Sequence, residues 1–330
     1  MMNRRMFIDI VASGALAAQR EAFAQQESKV WRIGFFYFGS RQSSLDSGRY
    51  QAFVMGMRDL GYVEGKNLKI EARFGDGKFE RLQDLATEFT RLKVDAIVAT
   101  GGPVYVALQQ ATKTIPVVIT VTADPVLAGV ATSLARPGGN FTGLSDNGAE
   151  LMPKQLELLM SVVPRLSSVG VLLNPTNDSH PVQAKQLASL AQKLTVKVVS
   201  AKAATVADIE PGFASLVRER ADAVMLFGDT FFVQQFQDIA QAALRHRMPS
   251  IYLTHQYAQA GGLMSYGSDL LDNFRRAASY VDRILKGAKP GDLPFEQPVR
   301  YSLAINLQTA KAIGLTIPQS LLLRADKVIR

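Results

Sequence analysis

Val94-Asp95-Ala96-Ile97-Val98-Ala99-Thr100-Gly101-Gly102 and, well downstream, Ala221-Asp222-Ala223-Val224-Met225-Leu226-Phe227-Gly228-Asp229 share one pattern: an acid, an apolar run of strand length and glycine at the exit. A basic, helix-like segment precedes each. A second helix-like segment follows each, and then a proline opens an apolar strand, at residues 116–120 in the first case and 249–254 in the second. One strand-helix-strand unit written twice predicts two similar lobes, with function in the space between them.

The likeness extends backwards. Residues 32–40 and 168–176 each read as a Gly-bearing apolar strand with a polar exit, and residues 68–74 parallel 196–201. Helix-like residues 79–92 lead into the first Asp-Ala strand as 206–219 lead into the second, so each half reads β-α-β-α-β-α-β. Near-continuous apolar strands joined by helix-length crossovers predict an α/β chain of two doubly wound, Rossmann-like lobes with parallel sheets. The alternative is one large doubly wound domain with look-alike units, although 330 residues leave room for a second core.

The leader is a different kind of sequence. Asn3-Arg4-Arg5-Met6-Phe7-Ile8 sets paired arginines before a short apolar run at residues 10–18, and Ala22-Phe23-Ala24 supplies small residues for cleavage near Ala24. Residues 1–24 therefore read as an export signal, of the twin-arginine kind or an ordinary Sec type with a basic start. Asp9 and Gln19-Arg20-Glu21 depart from the usual apolar pattern. No later apolar run has the length of a membrane span, so the mature chain is expected in the periplasm without membrane insertion. The chain contains no cysteine, which removes a lipidated cysteine anchor, disulfides, thiolate metal sites and a cysteine nucleophile together. The formal charge of +8 is spread through amphipathic helices with no basic run interleaved with aromatics, so no nucleic-acid partner is expected.

Turn chemistry marks where the halves meet. Arg136-Pro137-Gly138-Gly139-Asn140 separates the first half from Phe141-Thr142-Gly143-Leu144-Ser145, a short strand expected to cross to the second lobe. A single helix is expected over residues 45–60, ending at Gly61. After the second half, residues 262–267 read as a strand, 270–286 as an amphipathic helix, 299–306 as a last strand and 307–313 as a short helix. Elements that return after both halves are complete predict discontinuous lobes: residues 30–143 plus 267–292, and residues 144–266 plus 293–330.

Catalytic constellations are missing from the sequence. It holds no nucleotide-binding loop ending in Gly-Lys-Ser/Thr, and Gly65-Lys66-Asn67 fails at its last position. His180, His246 and His255 show no metal-ligand spacing, and Gly143-Leu144-Ser145-Asp146-Asn147 lacks the last glycine of a nucleophile elbow. No cofactor, metal or enzymatic activity is expected.

Binding chemistry, in contrast, gathers where open parallel sheets take ligands, at the carboxyl ends of the strands. In the first half these ends carry Gly39 and Ser40, then Thr100, Gly101 and Gly102, then Thr122 and Asp124. In the second half they carry Asn174, then Gly228 and Asp229, then Tyr252, with Tyr266 in the later strand. Glycines let backbone N–H groups approach a ligand, and Asp124 and Asp229 offer acceptors for an ammonium or hydroxyl group. The same residues equally suit tight turns and helix caps. Aromatic residues near these ends, Tyr37, Phe38, Tyr105, Phe227, Phe231 and Phe232 among them, are either core or a stacking surface for a planar solute.

Five further stretches act as a set: Ala123-Asp124-Pro125-Val126, residues 133–143 (SLARPGGNFTG), Gly261-Gly262-Leu263-Met264-Ser265-Tyr266-Gly267, Ile284-Leu285-Lys286-Gly287 and residues 305–315 (INLQTAKAIGL). With them the mature chain resembles the ABC-transporter substrate-binding proteins related to the tryptophan/tyrosine-binding branch. The resemblance implies a type I periplasmic binding fold with a multi-strand hinge, closing on a small polar organic solute such as an amino acid or aromatic carboxylate. It also implies a monomer that delivers the solute to an inner-membrane ABC permease and ATPase. A sensory module serving a receptor kinase, or an enzyme on the same scaffold, would use the same architecture.

Overall fold

The computed structural model describes residues 29–146, 148–298 and 301–330, without the side chains of 148–150; the expected leader lies outside these residues. The first half contributes β1 (Trp31–Tyr37), α1 (Arg41–Asp46), α2 (Arg49–Asp59), β2 (Leu68–Phe74), α3 (Leu82–Leu92), β3 (Ala96–Thr100), α4 (Gly102–Ala111), β4 (Val117–Ile119) and β5 (Phe141–Gly143). The second contributes α5 (Gly148–Val162), β6 (Ser168–Leu173), α6 (Ser179–Gln192), β7 (Lys197–Lys202), α7 (Val206–Arg218), β8 (Ala223–Leu226), α8 (Thr230–Gln234), α9 (Phe236–Arg245), β9 (Ser250–Tyr252), α10 (His255–Gln259) and β10 (Met264–Ser268). The chain then runs through α11 (Leu270–Leu285), β11 (Tyr301–Asn306), α12 (Leu307–Ile313), α13 (Gln319–Leu322) and β12 (Lys327–Ile329).

Two sheets form two α/β lobes. The first has order β2-β1-β3-β4-β5 and is parallel throughout. The second has order β12-β11-β10-β9-β8-β6-β7 and is parallel as expected except where β11 runs antiparallel to β10. The reversal follows from the route of the chain: β11 enters this sheet from the first lobe, so it arrives from the cleft side.

The duplicated pattern has a structural cause in each copy. Asp95 Oδ2 accepts from the Arg32 N–H at 2.8 Å, and Asp222 Oδ2 accepts from the N–H groups of Ser167 and Ser168 at 2.8 and 2.9 Å. Each acid thus clips the start of its strand to the start of the neighbouring strand, at the end of the sheet away from the cleft. Burial by itself would raise the Asp222 carboxyl, but the donors from Ser167 and Ser168 outweigh it and hold the group below the ordinary value. The paired glycines match too. A Cβ on Gly34 would lie 2.8 Å from the Phe89 ring, and one on Gly170 would lie 3.0 Å from Leu216, so each lets the helix crossing over to the next strand pack close to its sheet.

The first lobe is closed by a helix from the far end of the chain. One face of its sheet buries Ile33, Phe35, Val98 and Val118 against Phe53 and Met57 of α2 and against Phe274, Ala277, Tyr280, Val281 and Ile284 of α11. The other face packs Phe36, Ile97 and Ile119 on α3 and α4. Asp269 caps α11 by accepting from the Leu271 N–H at 2.9 Å. Three segments therefore link the lobes: the chain after β5, the turn between β10 and α11, and the stretch before β11. Leu144 and Glu296 of the first and third form a parallel bridge.

Packing moves the expected boundaries. Leu144, Leu293 and Phe295 are buried in first-lobe clusters, while Gly267 and Ser268 are strand residues of the second sheet. The strand over residues 141–143 does not itself cross; it pairs with β4 as the edge of the first sheet, and the crossing comes after it. The helix expected over residues 45–60 is two helices, broken where Gly48 takes a left-handed conformation at φ 71°.

Gly143 gives a test of the crossing. Its φ is +139°, and a Cβ would sit 2.1 Å from the Ile119 carbonyl oxygen. Gly143→Ala should cost about 2 kcal/mol or more and lower the melting temperature by several degrees. Gly139→Ala, at a position with no neighbouring atom within 4 Å, should leave it unchanged. Equal melting of the two variants in a calorimetric scan would contradict the assignment of strain to this crossing.

Candidate ligand-binding cleft

Carboxyl ends of both sheets face one another across the crossing segments. On the first lobe, Gly39 is buried, and Ser40 caps α1 by accepting from the Ser43 N–H at 3.1 Å. Thr100 and Thr120 share a hydroxyl hydrogen bond of 2.7 Å. Tyr105 Oη accepts from the Gly101 N–H at 3.1 Å and donates to the Val121 carbonyl at 2.6 Å, so one phenol ties the exits of β3 and β4 together. Burial pushes the Tyr105 phenol well up, which keeps it a neutral donor. Gly102 is exposed at the start of α4. Thr122 is held to the crossing segment, donating its N–H to Leu144 and accepting from the N–H of Asp146.

On the second lobe the polar exits form a network. The Asp229 carboxylate is buried and accepts from the Phe232 N–H at 2.9 Å, from Asn177 Nδ2 at 2.8 Å and from Asn174 Nδ2 at 3.2 Å. The Asn174 N–H in turn donates to His180 Nδ1 at 2.8 Å. His180 has 0% exposure, with its ring 5.8 Å from Phe227 and 5.6 Å from Phe232, and its Nε2 lies 3.9 Å from Asp229. It is a buried, hydrogen-bonded histidine. Burial holds its pKa below the ordinary histidine value, and the Asp229 charge opposes that shift.

Lobes touch across the cleft. Arg49 Nη2 donates to Gln256 Oε1 at 3.3 Å. A Cβ on Gly101 would lie 3.5 Å from Thr230 Cγ2, and one on Gly77 would lie 2.9 Å from Gln234 Oε1. Between the lobes, Ala123 and Asp146 face Gly228, Leu253, Gln155 and Gln183 around a cavity of about 20 Å³. A space of that size holds about one water molecule, so an organic solute placed at this point requires the lobes to move apart.

Several expected contributors are engaged within the fold. Tyr252 is 0% exposed, and its ring stacks on Tyr257 at 4.4 Å inside the second-lobe core, so it cannot stack on a solute; its short strand turns this side chain inward. Asp124 caps its own turn, accepting from the N–H groups of Val126 and Leu127 at 2.8 and 3.0 Å. Tyr266 is half-buried beside Tyr301, 5.8 Å between ring centres. Gly228 does line the interlobe cavity. Of the aromatics, Phe231 is half-buried, and Phe38 packs on Phe79, which is 54% exposed, at 5.1 Å. Among the described residues no group of His, Cys, Asp and Glu side chains could hold a metal ion, and no helix is long and apolar enough to cross a membrane.

Arg49 and Gln256 were not singled out from the sequence. The available signal was Ser47-Gly48, a turn pair set inside a helical period, which breaks the helix and delivers Arg49 to the start of α2.

Comparison with known proteins agrees with this architecture. The profile of the family described as ABC transporter substrate binding protein matches residues 42–329, and the chain belongs to that family. A tyrosine-binding protein of Clostridioides difficile (strain R20291) is 29% identical over 272 residues, which is 82% of this chain and 78% of that protein. A conserved domain protein of Vibrio cholerae O1 biovar El Tor is 30% identical with a TM-score of 0.84, over 91% of this chain and 100% of that one. An ABC domain from Streptococcus pneumonia solved in complex with L-Trp is 26% identical with a TM-score of 0.83, over 91% and 99% of the two chains.

The buried histidine generates a pH prediction. With a folded pKa below the unfolded one, both states are neutral above about pH 6.5, and as pH falls below that the unfolded chain binds the proton first, so stability is lost. His255 is lowered as well, by burial first and by Lys327 and Arg49, so it adds to the slope. Melting temperature should fall as pH is lowered from 7 towards 5, and His180→Asn should flatten that dependence. A variant with the wild-type slope would remove His180 as its source.

Proposed function

We propose that this protein is the solute-capturing component of an ABC importer, working on the periplasmic side of the inner membrane, and that its solute is an aromatic amino acid. What carries the reading is the cleft between two lobes of this family, in a chain related over nearly its whole length to a protein solved with L-Trp. The tyrosine-binding relative supports the same class of solute. Residues 1–24 serve as the export signal in this reading, and the closed form is what a permease and its ATPase receive.

The cleft has the chemistry for such a solute. Among the described residues the buried Asp229 carboxylate accepts from neutral donors, with Nε2 of His180 3.9 Å away, which suits an ammonium group. Gly101 and Gly228 bring backbone close to the space between the lobes, and Phe38, Phe79 and Phe231 offer ring faces near its rim. A solute in contact with both lobes favours the closed state by its differential affinity, and no covalent step is needed.

Thermal unfolding of the mature chain with each of the twenty amino acids tests the proposal. L-Tyrosine and L-tryptophan at a hundredfold excess over Kd should stabilise by about 2.7 kcal/mol and raise the melting temperature by several degrees. Asp229→Asn should weaken binding about tenfold or more by removing the charge opposite the ammonium. No stabilisation by either aromatic amino acid would overturn the assignment of the solute.

A further inference from the structure

We propose that Arg49 is the anchor for the solute's carboxylate, so that this cleft selects acids and zwitterions over the corresponding amides and amines. This rests on the reading of the cleft as a solute site, and deepens it. The first support is position. Arg49 opens α2 directly after the left-handed Gly48, is 4% exposed, and reaches from the first lobe to Gln256 of the second.

Donor bookkeeping is the second support. A guanidinium has five N–H groups and cannot shed its charge by deprotonation. Arg49 Nη1 donates to Tyr37 Oη at 2.6 Å, Nη2 makes a long contact of 3.3 Å to Gln256, and Nε is buried with no hydrogen-bond partner. Both partners are neutral oxygens. Among the described residues, no Asp or Glu oxygen lies within 4.0 Å of this side chain, whereas Arg73, Arg275 and Arg276 meet Glu88, Asp59 and Glu296 at 2.6 to 2.7 Å. A buried cation without a counter-ion is costly, and it is the residue type that an anion is best placed to relieve.

Geometry sharpens the point. Nε–H and the outer Nη2–H form the edge that grips a carboxylate with two parallel hydrogen bonds, and this is the edge left unused or weakly used. The Tyr37 contact on Nη1 fixes the plane of the group and leaves that edge without a strong partner. Local charge has the same sign: His255 is held low by burial, then by Lys327 and Arg49, against Asp269 alone. The corresponding helix of the second copy, α6, runs unbroken from Ser179 to Gln192, so the break that delivers Arg49 is peculiar to the first lobe.

The competing role is a latch, in which Arg49 serves only to hold Gln256 and the closed state. Calorimetric titration of wild type, Arg49→Gln and Arg49→Lys with L-tyrosine, L-tryptophan and their carboxamides separates the two, because the amides keep ring and ammonium but lose the anion. The anchor predicts that wild type prefers acid to amide by about tenfold to a hundredfold, the size of a charge-assisted pair. It also predicts that Arg49→Gln loses that preference by weakening the acid alone, and that Arg49→Lys falls between. A latch weakens acid and amide equally, and a variant that keeps the wild-type ratio overturns the proposal, as does a wild type indifferent to the carboxylate. Circular dichroism checks the fold of each variant; where Arg49→Gln fails to fold, the wild-type ratio and Arg49→Lys decide. Should neither aromatic amino acid bind wild type, the aromatic reading falls, and the same comparison is made with L-leucine and leucinamide and with 4-hydroxybenzoate and its amide. Binding of none of these acids overturns the anchor as well.

Discussion

The first lobe cannot complete its own core. The sheet face bearing Ile33, Phe35, Val98 and Val118 is covered on one side by α2, and the rest of it waits for α11, which the chain reaches only after the second lobe's strands β6 to β10. Fully burying large apolar side chains such as Phe274, Tyr280, Val281 and Ile284 contributes roughly 1.5 to 3 kcal/mol each, a sum comparable to the whole net stability of a domain. The return is therefore obligatory, and so are the crossings that it entails. Three short segments rather than one linker join the lobes, passing Leu144, Ser268 and Glu296.

Closure is balanced more finely than folding. Each lobe keeps its own apolar clusters, and among the described residues the contacts across the cleft include a long Arg49 to Gln256 hydrogen bond and the approaches of Gly101 to Thr230 and Gly77 to Gln234. Interactions of this kind are individually worth about 1 kcal/mol net. A closed state held so lightly responds to any molecule that touches both lobes, whereas a dry apolar interface would lock it shut. The polarity of the cleft walls is thus a condition of reversible capture as well as of recognition.

Much of this organisation is legible in the sequence, for local reasons. Asp95 and Asp222 mark a strand start because each clips it to its neighbour, and Gly34 and Gly170 mark a first strand because a crossover helix lies against each. Such features depend on residues near in the chain or on a repeated neighbour, and repetition makes them visible. Long-range features leave fainter marks. The reversed direction of β11 and the pairing of β12 depend on a route through both lobes, and the expectation ended at residue 313, before α13 and β12. Tyr252 and Phe231 look alike as aromatics near a strand exit, and only packing sends one into the core and leaves the other half-buried. Asp229 was expected at the cleft from its place at a strand exit; the Asn174, Asn177 and His180 network around it comes from a different loop, beyond the reach of local reading.

Where the two copies agree, they build the scaffold; where they differ, they place charge. The first copy breaks its opening helix at Gly48 and sets Arg49 at the cleft, while the second keeps that helix whole and uses its first turn to bury His180. At the later exit the relation is reversed: the first copy runs an unbroken helix from Gly102 to Ala111, and the second splits its helix at Gln235 after capping it with Asp229. A symmetric duplication would offer like charges to like charges across the gap, and a zwitterion could satisfy only one of them. Arg49 thus reaches across the cleft from the first lobe and Asp229 caps α8 at a strand exit on the second, and the α-amino acid proposed as solute would present one group of each sign to them. On the proposed reading the duplication makes the cleft, and the departures from it at Arg49 and Asp229 are what would orient a solute within it.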